Sequence, residues 1–292
     1  FNLIGKISLY FCGKIKNNMD IRGKYLLLSI ATMLLIVSCK EESTNKSIGT
    51  SVVESIEVTS DKLSHTKKID VYLPMGYNKE NTYPTIFMES GRQWQEFEYK
   101  HIVDSLIETG TITPIIIVAS QEDNMKISGT DHFYYEVELS ANVAKGNVDF
   151  ETMNKNYESF YIEELLPSIE SKYAISKDKD SRIYYGTMYG AAFGISLGMT
   201  KPDLFGEYWC FSPAHSSVEQ FGMIPGKAKF RICWGTKETV NADNYYPSLL
   251  SGIKKRGGTV TNLTFEGRPS GMQWKEQFKQ RLIEKFSYQT NR

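Results

Sequence analysis

The chain has 292 residues, of which 41% are hydrophobic, 13% aromatic and 23% charged, and its 34 basic side chains balance 34 acidic ones. This is ordinary globular composition, which argues against a disordered chain, a collagen-like chain and a membrane protein with many spans. The balanced charge gives no reason to expect nucleic acid as a partner.

The first part of the chain, residues 1–38, has the pattern of a targeting segment. Met19 is soon followed by two basic residues and then by an apolar run of 13 residues, 25–37. A run of this length is short for a bilayer crossing and typical of the apolar region of a signal peptide. We therefore expect residues 1–18 to be upstream translation outside the natural protein and residues 19–38 to be a signal peptide.

The end of that segment resembles a lipoprotein attachment site. Ile36-Val37-Ser38-Cys39 is similar to a bacterial lipobox, in which the cysteine thiol receives a diacylglycerol. Lys40-Glu41-Glu42 looks like the export signal of lipoproteins on the outer face of the outer membrane in some Gram-negative bacteria. Residues 39–50 have the polar composition of a flexible tether. The resemblance implies a surface-exposed outer-membrane lipoprotein, lipidated at Cys39; the alternative is a cleaved secretory peptide with an incidental cysteine.

Residues 51–292 are predicted to form a single domain of alternating strands and helices. Strand patterns occur at 52–58, 68–73, 84–88, 114–119, 182–185, 206–211, 229–234 and 259–265, and helix patterns at 97–109, 157–173, 191–199, 245–255 and 273–286. The first two strands alternate as an antiparallel pair does, whereas 84–88 and 114–119 are continuous apolar runs typical of a sheet buried on both faces. This order predicts an α/β fold with a doubly wound, mostly parallel sheet, helices on both faces and a ligand site at the carboxyl ends of the strands.

Two cysteines remain beyond the targeting segment, Cys210 and Cys233, and both lie in apolar, strand-like stretches. Such surroundings favour buried structural thiols. A disulfide between the two strands stays an alternative, because spacing alone does not place the two Cα atoms within bridging distance.

The segment 182–192 runs from a strand straight into a helix through two glycines, Gly186 and Gly190, that are four residues apart. In a nucleophile elbow, such glycines let the helix pack tightly on the strand, and the residue midway between them is held in a strained turn that points into the pocket. The residue at that place in this chain is Met188.

With this segment, the chain resembles an α/β-hydrolase of the esterase family that includes enterochelin esterases, S-formylglutathione hydrolases and feruloyl esterases. Four further segments carry the likeness. They are 71–77, with its Pro-Met-Gly-Tyr turn, the helical segment 160–173, the segment 201–206 and Phe211-Ser212-Pro213-Ala214. The resemblance covers nearly all of the mature domain and implies an α/β-hydrolase fold.

The chain departs from the family at the residues that carry its chemistry. The family pattern Gly-x-Ser-x-Gly requires serine where this chain has Met188. Met272 stands where the family's histidine precedes one residue and a tryptophan, here Trp274, and Glu238 falls at the position of the triad's carboxylate. A thioether neither forms an acyl-enzyme nor acts as a base, so the resemblance implies a degenerate triad at Met188, Glu238 and Met272.

Other residues do not clearly restore the missing pair. Thr187 lies beside the elbow with its side chain expected to point away, and Ser196 lies two helical turns further on. The four histidines are His65 in an early hairpin, His101 in a helix, and His132 and His215 after strands. Each is interpreted as a surface or hydrogen-bonded loop histidine. A rebuilt Ser–His pair through His132 or His215 stays an alternative.

What remains is a pocket that keeps its hydrogen-bond donors. The resemblance puts the backbone N–H of Tyr189 and the loop 90–94 where the family builds its oxyanion hole, which can hold a carbonyl or a carboxylate. Trp94, Tyr189 and Trp274 are candidates for stacking on a planar or sugar-like ligand. The implied ligand-binding residues are Gly91, Arg92, Trp94, Met188, Tyr189, His215, Met272 and Trp274. The long polar excursion 121–149 is where this family varies its substrate contacts.

Two methionines at one pocket also raise the question of a soft metal ion, since thioethers favour ions such as Cu(I). Without support from cysteine or histidine, two thioethers make a poor ligand set. We therefore expect neither a metal nor a cofactor.

Three hypotheses about function follow. The first is a non-catalytic, lipid-anchored protein of esterase fold, which captures a small-molecule or glycan ligand, such as a ferric siderophore or an esterified glycan, and passes it to a partner such as an outer-membrane transporter. The second is an active carboxylic-ester hydrolase with a displaced nucleophile or base. The third is a structural or interaction domain, which requires an occluded pocket with Met188 and Met272 packed together.

Overall fold

A computed structural model describes residues 50–89, 91–121, 150–214, 218–238 and 242–288, without the side chains of 91–93, 150–154 and 242. All of these residues belong to one compact unit, Gly49–Arg292. The targeting segment, Cys39, His132, His215 and nearly all of the excursion 121–149 lie outside the described residues, so the expectations placed on them stay predictions.

Eight strands in the described part of the chain form one sheet. They are β1 (Val52–Ser60), β2 (His65–Leu73), β3 (Thr85–Glu89), β4 (Ile116–Ser120), β5 (Arg182–Thr187), β6 (Glu207–Phe211), β7 (Lys229–Gly235) and β8 (Thr259–Phe265). Their order in the sheet is β1-β2-β4-β3-β5-β6-β7-β8. β2 pairs antiparallel with β1 and β4, and the other neighbouring strands are parallel. The carboxyl ends of β3 to β8 therefore meet at one edge, where doubly wound sheets bind ligands.

Helices cover both faces of the sheet. They are α1 (Gly91–Glu96), α2 (Tyr99–Glu108), α3 (Phe150–Ser159), the π-helix π1 (Phe160–Leu165), α4 (Leu166–Lys172), a 3₁₀ turn (Lys179–Ser181), α5 (Met188–Thr200), α6 (Ala242–Lys255) and α7 (Gly271–Phe286). α1, α2 and α7 pack on one face of the sheet, and π1 and α3 to α6 pack on the other. Each face of the sheet has one hydrophobic cluster. The predicted doubly wound α/β architecture is confirmed. Within the described ranges, every helix falls short of the length or the apolar character that a bilayer crossing needs.

The two continuous apolar runs form the centre of the sheet. β3 and β4 are buried at every position and pair in parallel, because helices cover both of their faces. β1 and β8 lie at the two edges of the sheet and are largely exposed. The burial of β3 and β4 therefore confirms the interpretation of the two apolar runs.

Two local predictions are wrong. The segment 90–94, expected to be a loop, is helical from Gly91 as part of α1. The single helix expected over 157–173 is interrupted by π1, and Pro167 lies at the start of α4. Proline lacks the N–H for an i→i−4 bond, and its ring crowds the carbonyl of Glu163, so the wider π turn accommodates it.

Cys210 and Cys233 are buried free thiols, as expected. Cys233 pairs across the ladder with Phe211, the residue after Cys210, so the two cysteine side chains lie on opposite faces of the sheet. Burial raises the pKa of both thiols above the ordinary range. The alternative of a disulfide is wrong for this arrangement, because the two Cβ atoms point apart.

Alkaline pH is expected to destabilise the domain through two buried tyrosines of β5. Tyr184 and Tyr185 are fully buried, and desolvation raises the pKa of each well above its ordinary value of 10.0. In the unfolded chain these phenols ionise above pH 10.0, whereas in the folded protein they stay neutral. The stabilisation is therefore complete below the unfolded pKa and falls above it by about 1.4 kcal/mol per pH unit for each tyrosine.

Urea unfolding at about pH 9 and about pH 11 measures this loss directly. Tyr185→Phe keeps the ring and lacks the titrating hydroxyl, so its free energy of unfolding should fall less between the two pH values than that of the wild type. An equal fall in both proteins would contradict the expectation.

Candidate functional site

Met188 occupies a strained turn between β5 and α5. β5 ends at Thr187, and α5 begins at Met188, whose φ is 50°. This left-handed conformation is rare for a residue with a side chain. A Cβ on Gly186 would lie 2.4 Å from the backbone carbon of Gly190, so only glycine lets the strand and the helix approach this closely. The strand–turn–helix arrangement predicted for 182–192 is confirmed.

Hydrogen bonds from neighbouring residues hold this elbow in place. Tyr184 donates its hydroxyl to the carbonyl of Gly190 at 2.6 Å, and its ring lies against Gly194, where a Cβ would be 2.3 Å away. The backbone N–H of Ala214, just after β6, donates to the carbonyl of Met188 at 3.1 Å. The turn is therefore fixed from two sides, which is how a strained conformation persists in a folded protein.

The left-handed turn should invert the usual ranking of glycine and alanine at position 188. Met188→Gly and Met188→Ala both lose the packing of the thioether, but only alanine keeps the penalty of a positive φ. We therefore expect Met188→Gly to be more stable than Met188→Ala by about 1 kcal/mol in urea unfolding. Ala192 is the matched control, because it lies one turn later in α5, and there Ala192→Gly should cost about 1 kcal/mol. Alanine ranking above glycine at both positions would rule out the strained elbow.

Glu238 lies just after β7 and accepts hydrogen bonds from three groups. Its Oε1 accepts from the hydroxyl of Ser212 and from the backbone N–H of Gly235, both at 2.5 Å. Its Oε2 accepts from the hydroxyl of Tyr246 at 2.5 Å, and the Tyr246 ring stacks on Trp234. Burial and the neighbouring carboxylate raise the pKa of Tyr246 well above its ordinary value, so this phenol stays a donor at neutral pH.

Ser212 connects Glu238 to Trp274. It follows β6 with a left-handed φ of 49° and is 2% exposed. Its Oγ accepts from Nε1 of Trp274 at 2.8 Å and donates to Glu238. An indole N–H only donates and a carboxylate only accepts, so the donor direction runs from Trp274 through Ser212 to Glu238. We call Ser212, Gly235, Glu238, Tyr246 and Trp274 the Glu238 cluster.

Met272 lies in the first turn of α7 and is 67% exposed. Ser270 caps this helix, and the ring of Phe97 lies against Gly271, where a Cβ would be 2.0 Å away. Met188, in contrast, is partly buried against the hydrophobic cluster on the face of α1, α2 and α7. The hypothesis of a purely structural domain requires Met272 to be buried against Met188. The exposure of Met272 does not fit that hypothesis.

Trp94 and Trp274 are core residues, with 3% and 8% of their surfaces exposed. Trp94 meets Tyr72 edge to face with ring centroids 5.6 Å apart, and Trp274 belongs to the same hydrophobic cluster. The suggestion that these two indoles stack on a ligand does not fit this arrangement, because protein packs around both rings. Tyr189 is partly exposed, and its contact with a ligand stays a prediction.

The other residues considered from the sequence are spread over several elements. Gly91 and Arg92 begin α1, beyond the carboxyl end of β3, and their ligand contacts stay predictions. His65 opens β2, with its Nδ1 2.9 Å from a backbone carbonyl, and His101 lies exposed on α2, as expected for a hairpin and a helix. The two alternative hydroxyls are Thr187, buried at the end of β5, and Ser196, within α5.

Sequence reasoning missed a buried carboxylate at the carboxyl end of β3. Glu89 accepts from the hydroxyl of Tyr157 on α3 at 2.8 Å and from that of Tyr161 on π1 at 2.6 Å. These bonds tie π1 to the edge of the sheet at which the elbow lies. A charged residue directly after the apolar run 86–88 is the sequence signal for it.

The two positions that the resemblance assigns to the nucleophile and the base are Met188 and Met272. Positions 188 and 272 carry thioethers, which transfer no proton in acyl chemistry. Among the residues that the structure describes, no group of three or more histidine, cysteine, aspartate or glutamate side chains is arranged to hold a metal ion. The described residues supply an elbow that is held from two sides and the hydrogen-bonded groups around Glu238.

Comparison with known proteins identifies relatives of this chain. Residues 60–277 match the family model described as "Putative esterase". In sequence, the chain is 26% identical over 235 residues to the endo-1,4-beta-xylanase/feruloyl esterase of Xylanibacter ruminicola. This match covers 76% of the chain and 29% of that enzyme, so the chain spans less than a third of its relative's length.

Two solved structures show the fold that the chain shares. One is a ferulic acid esterase from Anaeromyces mucronatus in complex with ferulic acid, with a TM-score of 0.58 and 16% identity over 85% of this chain and 95% of that one. The other is the enterobactin esterase of Shigella flexneri, with a TM-score of 0.59 and 14% identity over 80% of this chain and 58% of that one. Because the family match also spans most of the domain, the chain belongs to the "Putative esterase" family and has the α/β-hydrolase fold that the resemblance implied.

Proposed function

We propose that this chain is a non-catalytic ligand-binding protein built on an esterase domain and carried as a lipoprotein on the surface of the outer membrane. The observation that supports this most directly is the elbow, where Met188 keeps a left-handed φ of 50°. This is the strained turn in which an α/β-hydrolase presents its serine, but the thioether of Met188 cannot attack an ester. The turn of the elbow is therefore present without a side chain that could attack an ester.

A strained turn without a nucleophile argues that the shape of the pocket matters. A left-handed backbone costs about 1–2 kcal/mol for a residue such as Met188. The close contact at Gly186 and the hydrogen bonds from Tyr184 and Ala214 all keep this turn in place. Binding is a function that needs the shape of the pocket without the serine.

The ligand we propose is an aromatic acyl compound, carried either by a siderophore or by an esterified glycan. The Xylanibacter protein is named a feruloyl esterase, the Anaeromyces structure contains ferulic acid, and the Shigella enzyme was solved in the presence of 2,3-dihydroxy-N-benzoyl-glycine. These compounds share a phenolic ring and a carbonyl group. The start of α5 lies directly after the carboxyl end of β5, and helix starts favour carbonyl and carboxylate groups.

The location is proposed from the sequence. The apolar run 25–37, Cys39 and Lys40-Glu41-Glu42 together favour a lipid anchor on the outer face of the membrane. A tethered protein that only binds its ligand needs a partner to receive it, and an outer-membrane transporter is the partner we propose.

Binding and turnover by the same purified protein test the proposal. In calorimetric titrations, we expect the wild type to bind ferulic acid or 2,3-dihydroxy-N-benzoyl-glycine, and in steady-state assays to hydrolyse no short-chain chromogenic ester above the blank. Met188→Glu should abolish binding, because it places a carboxylate where the ligand's carboxylate or carbonyl lies. The matched control is Met223→Glu, at an exposed methionine that lies against Gly257, before the amino end of β8. Failure to bind either compound would count against the proposal.

An active hydrolase with a displaced nucleophile is the second candidate, and the hydrogen bond of Ser212 to a carboxylate favours it. Three features oppose this reading. Ser212 is buried, its Oγ receives the N–H of Trp274, and Pro213 has no backbone N–H to stabilise an oxyanion. Ester turnover by the wild type that is lost in Ser212→Ala, or when His132 or His215 is replaced by alanine, would establish the hydrolase instead.

A further inference from the structure

The Glu238 cluster stands where a triad keeps its carboxylate, but its hydrogen bonds differ from those of a triad. In a catalytic triad, the carboxylate accepts an N–H of the base histidine and orients the ring. Here Oε1 of Glu238 accepts from Ser212 and Gly235, and Oε2 accepts from Tyr246, each at 2.5 Å. A carboxylate offers about four lone-pair positions, so protein donors already take most of them.

The donors reach this carboxylate from four elements at the carboxyl edge of the sheet. They are Ser212 after β6, Gly235 at the end of β7, Tyr246 on α6 and, through Ser212, Trp274 on α7. Tyr245 adds a contact from α6, because its hydroxyl donates to the carbonyl of Pro213 at 3.1 Å. Glu238 therefore accepts directly from the ends of two strands and from α6, and Ser212 connects it to α7.

α7 reaches the carboxylate through Trp274 and not through residue 272. The indole N–H of Trp274 bonds to Ser212, whereas the side chain of Met272 is largely exposed. The turn that contains Ser212 continues to Ala214, whose N–H holds the carbonyl of Met188. The same turn thus connects the acid position to the elbow.

From this arrangement, we infer that Glu238 is a positioning residue, which fixes Ser212, Tyr246 and Trp274 around the pocket and is unavailable to orient a base at position 272. The inference rests on the proposed non-catalytic function and deepens it. Glu238, at the position of the triad's carboxylate, would then stabilise the site at which the ligand binds. It follows that Met188→Ser with Met272→His does not rebuild a triad until the carboxylate is released from its hydroxyl donors.

An imidazole introduced by Met272→His reports whether Glu238 is available. Its pKa is measured by NMR with and without Glu238→Gln, because a carboxylate that accepts from an imidazolium raises the imidazole pKa by about one unit or more. While Ser212 is present, we expect Glu238→Gln to change this pKa by less than about 0.3 units. In the Ser212→Ala background, Oε1 loses its hydroxyl donor, and Glu238→Gln should then lower the imidazole pKa by about one unit.

Tyr246→Phe provides a second background if Ser212→Ala does not fold. It releases Oε2 and keeps the ring that stacks on Trp234. A one-unit effect of Glu238→Gln with both hydroxyls present would overturn the inference, as would the absence of an effect in the released backgrounds. Neither result depends on binding or ester turnover by the wild type, so failure of this inference is distinguishable from failure of the proposed function.

Discussion

Alanine in place of Gly186 is expected to lower the free energy of unfolding by about 3 kcal/mol and, if the proposed function holds, to abolish binding of ferulic acid. A Cβ there would lie 2.4 Å from the backbone carbon and 2.5 Å from the carbonyl oxygen of Gly190. Both partners in this contact belong to the backbone, so no side-chain rotation relieves it, and α5 has to move away from β5. Met188 is the first residue of α5 and would move with it. Urea unfolding and calorimetric titration measure the two losses.

Gly222→Ala is the matched control for this substitution. Gly222 is exposed, and a Cβ there would meet nothing within 4 Å, so its effect should stay within about 0.5 kcal/mol. If Gly186→Ala were as stable as this control and still bound ligand, the close approach of β5 and α5 would not be what maintains the pocket.

The sheet was predictable from the sequence because the residue types within a strand indicate whether that strand is buried. The runs 84–88 and 114–119 are apolar except for Thr85 and became the central strands β3 and β4. The edge strand β8 has the same bounds as the pattern that predicted it. What the patterns missed depends on the surroundings of a segment. The helix α1 and the π turn before Pro167 are set by packing at the carboxyl edge and by a missing N–H.

The elbow was predictable for a similar reason, since two glycines four residues apart let a helix pack closely on the strand before it. The Glu238 cluster was not, because Ser212 lies 26 residues from Glu238 along the chain and meets it only in the fold. Trp274 illustrates the difference. The resemblance suggested a stacking surface for a ligand, whereas the structure buries the indole and directs its N–H to Ser212. Sequence patterns located the elbow, whereas the hydrogen bonds of Ser212, Glu238 and Trp274 depend on contacts between residues far apart in the chain.

Removal of the Glu238 side chain is expected to lower the free energy of unfolding by about 3 kcal/mol. Glu238→Ala leaves the hydroxyls of Ser212 and Tyr246 and the N–H of Gly235 without their acceptor. Each unsatisfied buried group costs about 1–3 kcal/mol, and water reaching the partly exposed members reduces the sum. Glu238→Gln keeps one carbonyl acceptor and should cost about half as much. Urea unfolding of the two variants beside the wild type measures both values.

The exposed Glu266, just after β8, supplies the control, because Glu266→Ala should change the free energy of unfolding by less than about 0.5 kcal/mol. In an enzyme that uses its triad, impairing the acid costs mainly rate, about 10⁴-fold, while the geometry stays intact. Stability is thus the quantity that separates the two roles of Glu238. If Glu238→Ala were as stable as Glu266→Ala, the carboxylate would be a remnant of a triad and not a support of the pocket. A loss found for Glu238→Ala and not for Glu266→Ala would support the inference that the carboxylate holds Ser212 and Tyr246 in place.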